Sequence, residues 1–135
     1  MSRLVFCEEE ATIRKVITMA MRGTAHEVHM AADGKAGLAL VAQVLPDALF
    51  TDVAMPGLNG YELADALRAR PDLAHIPIVF VTAAVQRSQR EEAFRHGAAA
   101  ILPKPFGPAE LRASVEALLT SFQAPGDSEG GAKTS

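Results

Sequence analysis

Two kinds of apolar segment alternate along the chain. Short runs rich in Val, Ile and Phe, or bounded by Pro, cover Leu4 to Cys7, Glu27 to Ala31, Ala48 to Thr51, Ile78 to Val81 and Ala100 to Leu102, and predict strands. Between them the apolar positions take helical spacing. Ile13, Val16, Ile17, Ala20 and Met21 recur at i, i+3, i+4, i+7 and i+8 until Gly23 ends the run. Leu38, Val41, Ala42 and Leu45 repeat the pattern, and Leu63, Ala64 and Leu67 form a third face. A more polar stretch, Gln86 to His96, is closed by Gly97, and Leu111, Val115, Leu118, Leu119 and Phe122 form a fifth face.

Repeated strand-then-helix units predict an α/β fold, because parallel strands need crossover connections and a helix is the usual one. Five units of this length fit a doubly wound five-stranded parallel sheet, order 2-1-3-4-5, with five helices. The third and fourth strands read as buried on both faces. A ligand in such a sheet binds outside the carboxyl ends, at the switch between strands one and three. One domain is expected over residues 1–122. The remaining 123–135, "APGDSEGGAKTS" after Gln123, carries Gly, Ser and charge without apolar periodicity and is expected to be a disordered tail.

Composition narrows the function classes. The net charge is −3 over 135 residues with both signs interspersed, so no electrostatic footprint for nucleic acid is present. Cys7 is the only cysteine, which excludes an intrachain disulfide and suits a reducing compartment. Within its apolar run it reads as a small buried hydrophobe. No apolar stretch approaches the roughly 20 residues that span a bilayer, and no signal-peptide core opens the chain. A cytoplasmic protein without membrane contact is the expectation.

The candidate chemistry lies where the strands end. Glu8 and Glu9 follow strand one, Asp52 strand three, Thr82 strand four and Lys104 strand five, whereas strand two ends in a plain turn, "AADG". In the order 2-1-3-4-5 the four polar endings fall on consecutive neighbours. Each alone has an ordinary reading: Asp52 or Thr82 as a cap, Lys104 as a solvated charge, the glutamates as an acidic first helical turn. Together they suit phosphoryl transfer to a carboxylate. Asp52 would be the acceptor, a divalent cation among Asp52 and the glutamates would neutralise the transferring oxygens, and Lys104 and Thr82 would hold them. An all-oxygen donor set favours magnesium.

At these residues the chain resembles the receiver domain of bacterial two-component response regulators, over residues 3 to 122. "EEEATIR" (8 to 14) looks like the family's acidic motif, "DVAMPGLNG" (52 to 60) like its phosphoacceptor loop, "VTA" (81 to 83) like its switch-hydroxyl turn and "PKPF" (103 to 106) like its lysine-proline corner. The resemblance implies a flavodoxin-like fold and a phosphoryl group accepted on Asp52 from a sensor histidine kinase or a histidine phosphotransfer protein. It implies Mg2+ held by Glu9, Asp52 and the backbone carbonyl of Ala54, with Glu8 acting through water. Thr82 and Lys104 would bind the phosphoryl oxygens, with a cis peptide between Lys104 and Pro105 as a structural corner. Signalling would run through the face of helix four, strand five and helix five to a downstream protein. Gln86, Arg87, Gln89, Arg90 and Arg95 lie on or near that face, where an ordinary solvated helix is an equal reading. A homodimer is left open. The protein would not be an enzyme in the ordinary sense, though it could catalyse its own phosphorylation and dephosphorylation.

Two departures qualify the resemblance. Glu9 stands where the family usually has Asp, and one extra methylene moves the carboxylate by up to about 1.5 Å. Ile101 stands where a switch aromatic is usual. An alternative reading is therefore a receiver-like protein-interaction module that acts without phosphorylation. A phosphohydrolase built on Asp52 would need a second acid two positions later, where Ala54 stands. His26, His29, His75 and His96 show no metal-ligand spacing and read as surface or packing residues. Phe106 is open between an exposed anchor for the kinase and a staple for helix five.

Overall fold

In a computed structural model, residues 2–83 and 86–121 are described. They form β1 (Arg3–Cys7), α1 (Ala11–Met21), β2 (Glu27–Ala31), α2 (Gly34–Val44), β3 (Ala48–Asp52), α3 (Gly60–Arg68), β4 (Ile78–Thr82), α4 (Arg87–Arg95), β5 (Ala98–Pro103) and α5 (Pro108–Ser121). All strand pairs are parallel and the order is β2-β1-β3-β4-β5, as the alternation of segments predicts. The expected tail, Phe122 and Ala84 lie outside the described residues.

Strand periodicity divides the core into two layers. Val5, Cys7, Leu49, Ile78 and Phe80 face α2, α3 and α4, where they meet Val41, Leu63, Leu67 and Ala93. Leu4, Phe6, Phe50, Val79 and Val81 face α1 and α5, against Ile17, Ala20, Leu111, Val115 and Leu118. Register couples the layers to the site: Phe6 pairs with Phe50, and their rings stack at 4.9 Å between centroids. Such a pair contributes about 1 kcal/mol beyond its area, so β1 and β3 are locked side by side just below their carboxyl ends.

β5 is longer than the pattern predicts. "AAA" (98 to 100) carries no strand preference, since alanine is the best helix former, yet Ala98 pairs with Ile78 and Ala100 with Val79. Ala99 is skipped, an irregularity of the bulge type. The consequence reaches the site, because the extra residue sets Pro103 opposite Thr82 and hence Lys104 just beyond it.

The loop after β3 is fixed at both ends. Asn59 and Glu62 form a reciprocal capping box at the start of α3, at 2.8 and 2.9 Å. Gly60 N–H donates to the Val53 carbonyl at 2.8 Å, and a Cβ at Gly60 would lie 2.1 Å from the Asp52 carbonyl oxygen. Only glycine allows α3 to begin this close to the end of β3.

Candidate phosphoacceptor site

Asp52 is the last residue of β3, opposite Val81 of β4 and one residue beyond Thr51, which pairs with Cys7 of β1. The residue is nearly enclosed, at 3 % exposure, as is Glu8 at 2 %. A cation stands between them. Lys104 Nζ is 2.7 Å from Asp52 Oδ1 and 3.2 Å from Glu8 Oε1. The ammonium approaches Oδ1 as an ion pair without a hydrogen bond of good geometry, so that among the described residues this buried oxygen has no hydrogen-bond donor. Asp52 Oδ2 accepts from the Glu9 backbone N–H at 3.3 Å. Glu8 Oε2 accepts from the Glu10 N–H at 3.0 Å.

The sequence singles out both glutamates, and the structure divides them. Glu8, expected to act through water, is the carboxylate inside the site. Glu9 is exposed, and only its backbone N–H reaches Asp52. Burial and the neighbouring Asp52 raise the Glu8 carboxyl to about 7, against the pull of the Glu10 N–H and Lys104. Burial alone would lower Lys104, but the carboxylates of Asp52 and Glu8 beside it outweigh that and raise its pKa. The opening run of acids thus resolves into one residue that is buried and paired and two, Glu9 and Glu10, that face water.

Thr82 ends β4 beside this group, and its carbonyl accepts from the Lys104 N–H at 3.0 Å. Lys104 is followed by the cis peptide to Pro105. Ala54 is exposed in the loop after β3. Ile101 pairs with Phe80 and packs, half-buried, on the layer formed with α2, α3 and α4. Phe106 packs on the opposite layer and with Ile13, Val16, Ala83, Lys104 and Pro105 lines an apolar groove of about 400 Å³ beside the site. Both readings of Phe106 therefore have a counterpart, since it is half-buried under α5's start and also borders an open groove.

The histidines sit away from this centre. His26 pairs with Glu116 at 2.8 Å and His29 with Glu27. His96 stacks on Tyr61 at 4.4 Å and meets Asp65 at 2.9 Å, tying the end of α4 to α3. One contributor escapes sequence reading. Arg14, within the acidic motif, donates from Nη1 to the carbonyls of Glu8 at 2.7 Å and Glu9 at 3.0 Å. A cation six positions after Glu8 on a predicted helix is a signal, but not one that names backbone carbonyls as its target.

Chemically, two carboxylates and an ammonium at the mouth of a doubly wound parallel sheet define an acidic, strand-end centre of the kind that handles phosphoryl groups. The sequence matches the response regulator receiver domain over residues 4–116, and the chain belongs to that family. It is 36 % identical over 115 residues to the response regulator PleD of Caulobacter vibrioides, covering 85 % of this chain and 25 % of PleD. The chain spans between about a quarter and a little over half of the lengths of the curated relatives it matches. Among solved structures, the chemotaxis protein CheY4 of Vibrio cholerae superposes with a TM-score of 0.83 at 28 % identity, covering 88 % of this chain and 99 % of that one. The receiver domain of the sensor histidine kinase PA1611 of Pseudomonas aeruginosa, solved with a magnesium ion coordinated in its active-site cleft, superposes with a TM-score of 0.79 at 26 % identity, covering 88 % and 98 %. Among the described residues no helix is long and apolar enough to cross a membrane.

Proposed function

We propose that this receiver accepts a phosphoryl group on Asp52 from a phosphohistidine of a sensor kinase or phosphotransfer protein, and passes the change to a downstream protein. The observation that carries the reading is the buried Asp52 carboxylate with Lys104 Nζ 2.7 Å away. A carboxylate oxygen of Asp52 would attack phosphorus, the bond from phosphorus to the donor nitrogen would break, and the imidazole would leave with its electron pair and take up a proton. Lys104 supplies a fixed positive charge where the transferring oxygens gather, and Thr82 sits on the neighbouring strand end to donate to one of them.

The donor set bears on the metal. Among the described residues no three His, Cys, Asp or Glu side chains gather as a ready-made cage. Among these residues the buried Asp52 Oδ1 lacks a hydrogen-bond donor, and Glu8 stands beside it. Two carboxylates and few further protein ligands suit magnesium, which keeps several waters and demands oxygen donors. Asp52, Glu9 and the Ala54 carbonyl would hold it, with Glu8 through water. When bound, the ion supplies charge that neutralises the phosphoryl oxygens. Glu9 is the residue that must turn inward, since its side chain faces water here.

The apolar groove at Ile13, Val16, Pro105 and Phe106 lies beside Asp52 and supports docking of the phosphodonor there. The exposed Arg87, Gln89 and Arg90 of α4 support a downstream contact on the face of α4, β5 and α5. The deciding experiment is intact-protein mass after incubation with acetyl phosphate and with a phosphohistidine donor, with and without magnesium, on wild type and Asp52→Asn. A magnesium-dependent gain of one phosphoryl group that Asp52→Asn abolishes is expected. No gain from either donor would overturn the reading in favour of an interaction module that works without phosphate.

A further inference from the structure

Arg14 stands half-buried on the second turn of α1 and commits one guanidinium nitrogen to two backbone carbonyls that the helix does not use. The helix's own bonding starts later, with Arg14 N–H to the Glu10 carbonyl at 3.0 Å. Nη1 carries two hydrogens, so one serves Glu8 O and the other Glu9 O.

The consequence follows from peptide geometry. In a planar trans peptide the C=O of Glu8 and the N–H of Glu9 point in opposite directions. A cation holding Glu8 O on the α1 side therefore turns the Glu9 N–H to the other side, where Asp52 Oδ2 accepts it at 3.3 Å. That bond is slightly longer than the usual range, so a small rotation of the peptide removes it. The guanidinium also polarises the peptide it holds, which makes the Glu9 N–H a better donor. From the other direction, Glu8 N–H is fixed to the Ala31 carbonyl at 3.0 Å, so the turn is anchored before and after this peptide.

We propose that Arg14 is a positioning residue: through the Glu8–Glu9 peptide it aims the Glu9 N–H at Asp52 and holds the acid-bearing turn in register with the phosphoacceptor. The inference rests on the reading of Asp52 given above and extends it to a residue that has no bond to Asp52 or Lys104. Arg14 borders the open groove between α1 and β2 with Lys15, Met19 and Met30. It belongs to neither core layer.

The test uses wild type, Arg14→Lys and Arg14→Gln, each with and without Asp52→Ala, followed by the backbone amide resonance of Glu9 and by melting temperature. In wild type, Asp52→Ala is expected to move the Glu9 amide proton upfield as its acceptor is lost. In Arg14→Gln the same substitution should move it by less than half as much, and Arg14→Lys should restore most of the shift. The rate of mass gain from acetyl phosphate at saturating magnesium should fall about tenfold in Arg14→Gln and recover partly in Arg14→Lys. Equal amide shifts in wild type and Arg14→Gln overturn the proposal, and a lowered melting temperature with the shift intact reduces Arg14 to a structural clasp. A wild type that takes no phosphoryl group sinks the reading of Asp52, while the amide coupling still decides the role of Arg14.

Discussion

Lys104 Nζ stands 2.7 Å from Asp52 Oδ1, joining the end of β3 to the turn that follows β5, and the same ammonium is 3.2 Å from Glu8. One cation thus serves two enclosed carboxylates. Removing it leaves both without their counter-charge, the costly case for a buried pair. Lys104→Met is expected to destabilise the metal-free protein by about 2 kcal/mol, less than the 3–5 kcal/mol of fully buried pairs, because the Lys104 side chain is 22 % exposed. Urea unfolding should show the lower midpoint at an unchanged slope.

The opposite substitution should stabilise. With Glu8 ionised, two negative charges face one positive charge. Asp52→Asn removes the excess and is expected to add on the order of 1 kcal/mol in metal-free buffer above pH 7, where Glu8 is ionised. Millimolar magnesium should raise the melting temperature of wild type by mass action and that of Asp52→Asn far less. Melting temperatures unchanged by both treatments would show that the cluster carries no net repulsion.

Glu8 gives the cluster a pH dependence whose sign can be worked out. Its carboxyl titrates near 7 in the fold and near 4.5 in the unfolded chain, so the folded state holds a proton that the unfolded state has lost between these values. Its contribution to stability is therefore complete below about pH 4.5 and is lost as pH rises through 7. The slope should not exceed ~1.4 kcal/mol per pH unit. Stability of wild type minus that of Glu8→Gln, measured in chelator across this window, isolates the term. A difference that stays flat or rises with pH contradicts it.

Gly60 is held against the end of β3 by the lack of a side chain. A Cβ there would sit 2.1 Å from the Asp52 carbonyl oxygen and 2.9 Å from Val53 Cα, both backbone atoms that cannot swing away. Gly60→Ala should cost about 2–3 kcal/mol, as overpacking does, and should displace Asp52 as well. Gly57→Ala is the control, because its Cβ meets open space and only the positive φ of 71° is strained. It should cost about 1 kcal/mol and leave the site resonances in place.

Cys7 should be inert while the protein is folded. Burial, with the charges of Asp52 and Asp33, pushes the thiol up to about 12 despite a hydrogen bond with Thr51, and the residue is 2 % exposed. Iodoacetamide in mildly alkaline buffer should label it only after denaturant is added. Labelling of the folded protein on the same timescale as the unfolded chain would place Cys7 at the surface.

The layers of this fold were legible because they follow from period alone. Val5 and Cys7 fall on one face and Leu4 and Phe6 on the other because side chains alternate along a strand, and α1 reads as a helix because Ile13, Ile17 and Ala20 share a face. Where local preference and tertiary pairing conflict, the pattern fell short. Ala98 to Ala100 form strand only because β4 supplies partners, and the skipped Ala99 has no signature in a run of three identical residues.

What the sequence determined by itself is the set of polar residues delivered to the carboxyl ends: Glu8, Glu9, Asp52, Thr82 and Lys104 each follow or close an apolar run, and parallel strands carry all such endings to one side. What only the tertiary structure decided is which of those residues is enclosed and which faces water. Glu8 and Glu9 are chemically identical neighbours, and nothing local distinguishes them. The fold does, because residues alternate in direction at the strand end, the Lys104 ammonium waits on Glu8's side, and Arg14 turns the peptide between them so that Glu9 offers Asp52 its N–H while its carboxylate stays in water. Charge placed by residues far apart in sequence selects between equal carboxylates, and that selection exists only once β1, β3 and β5 lie in one sheet.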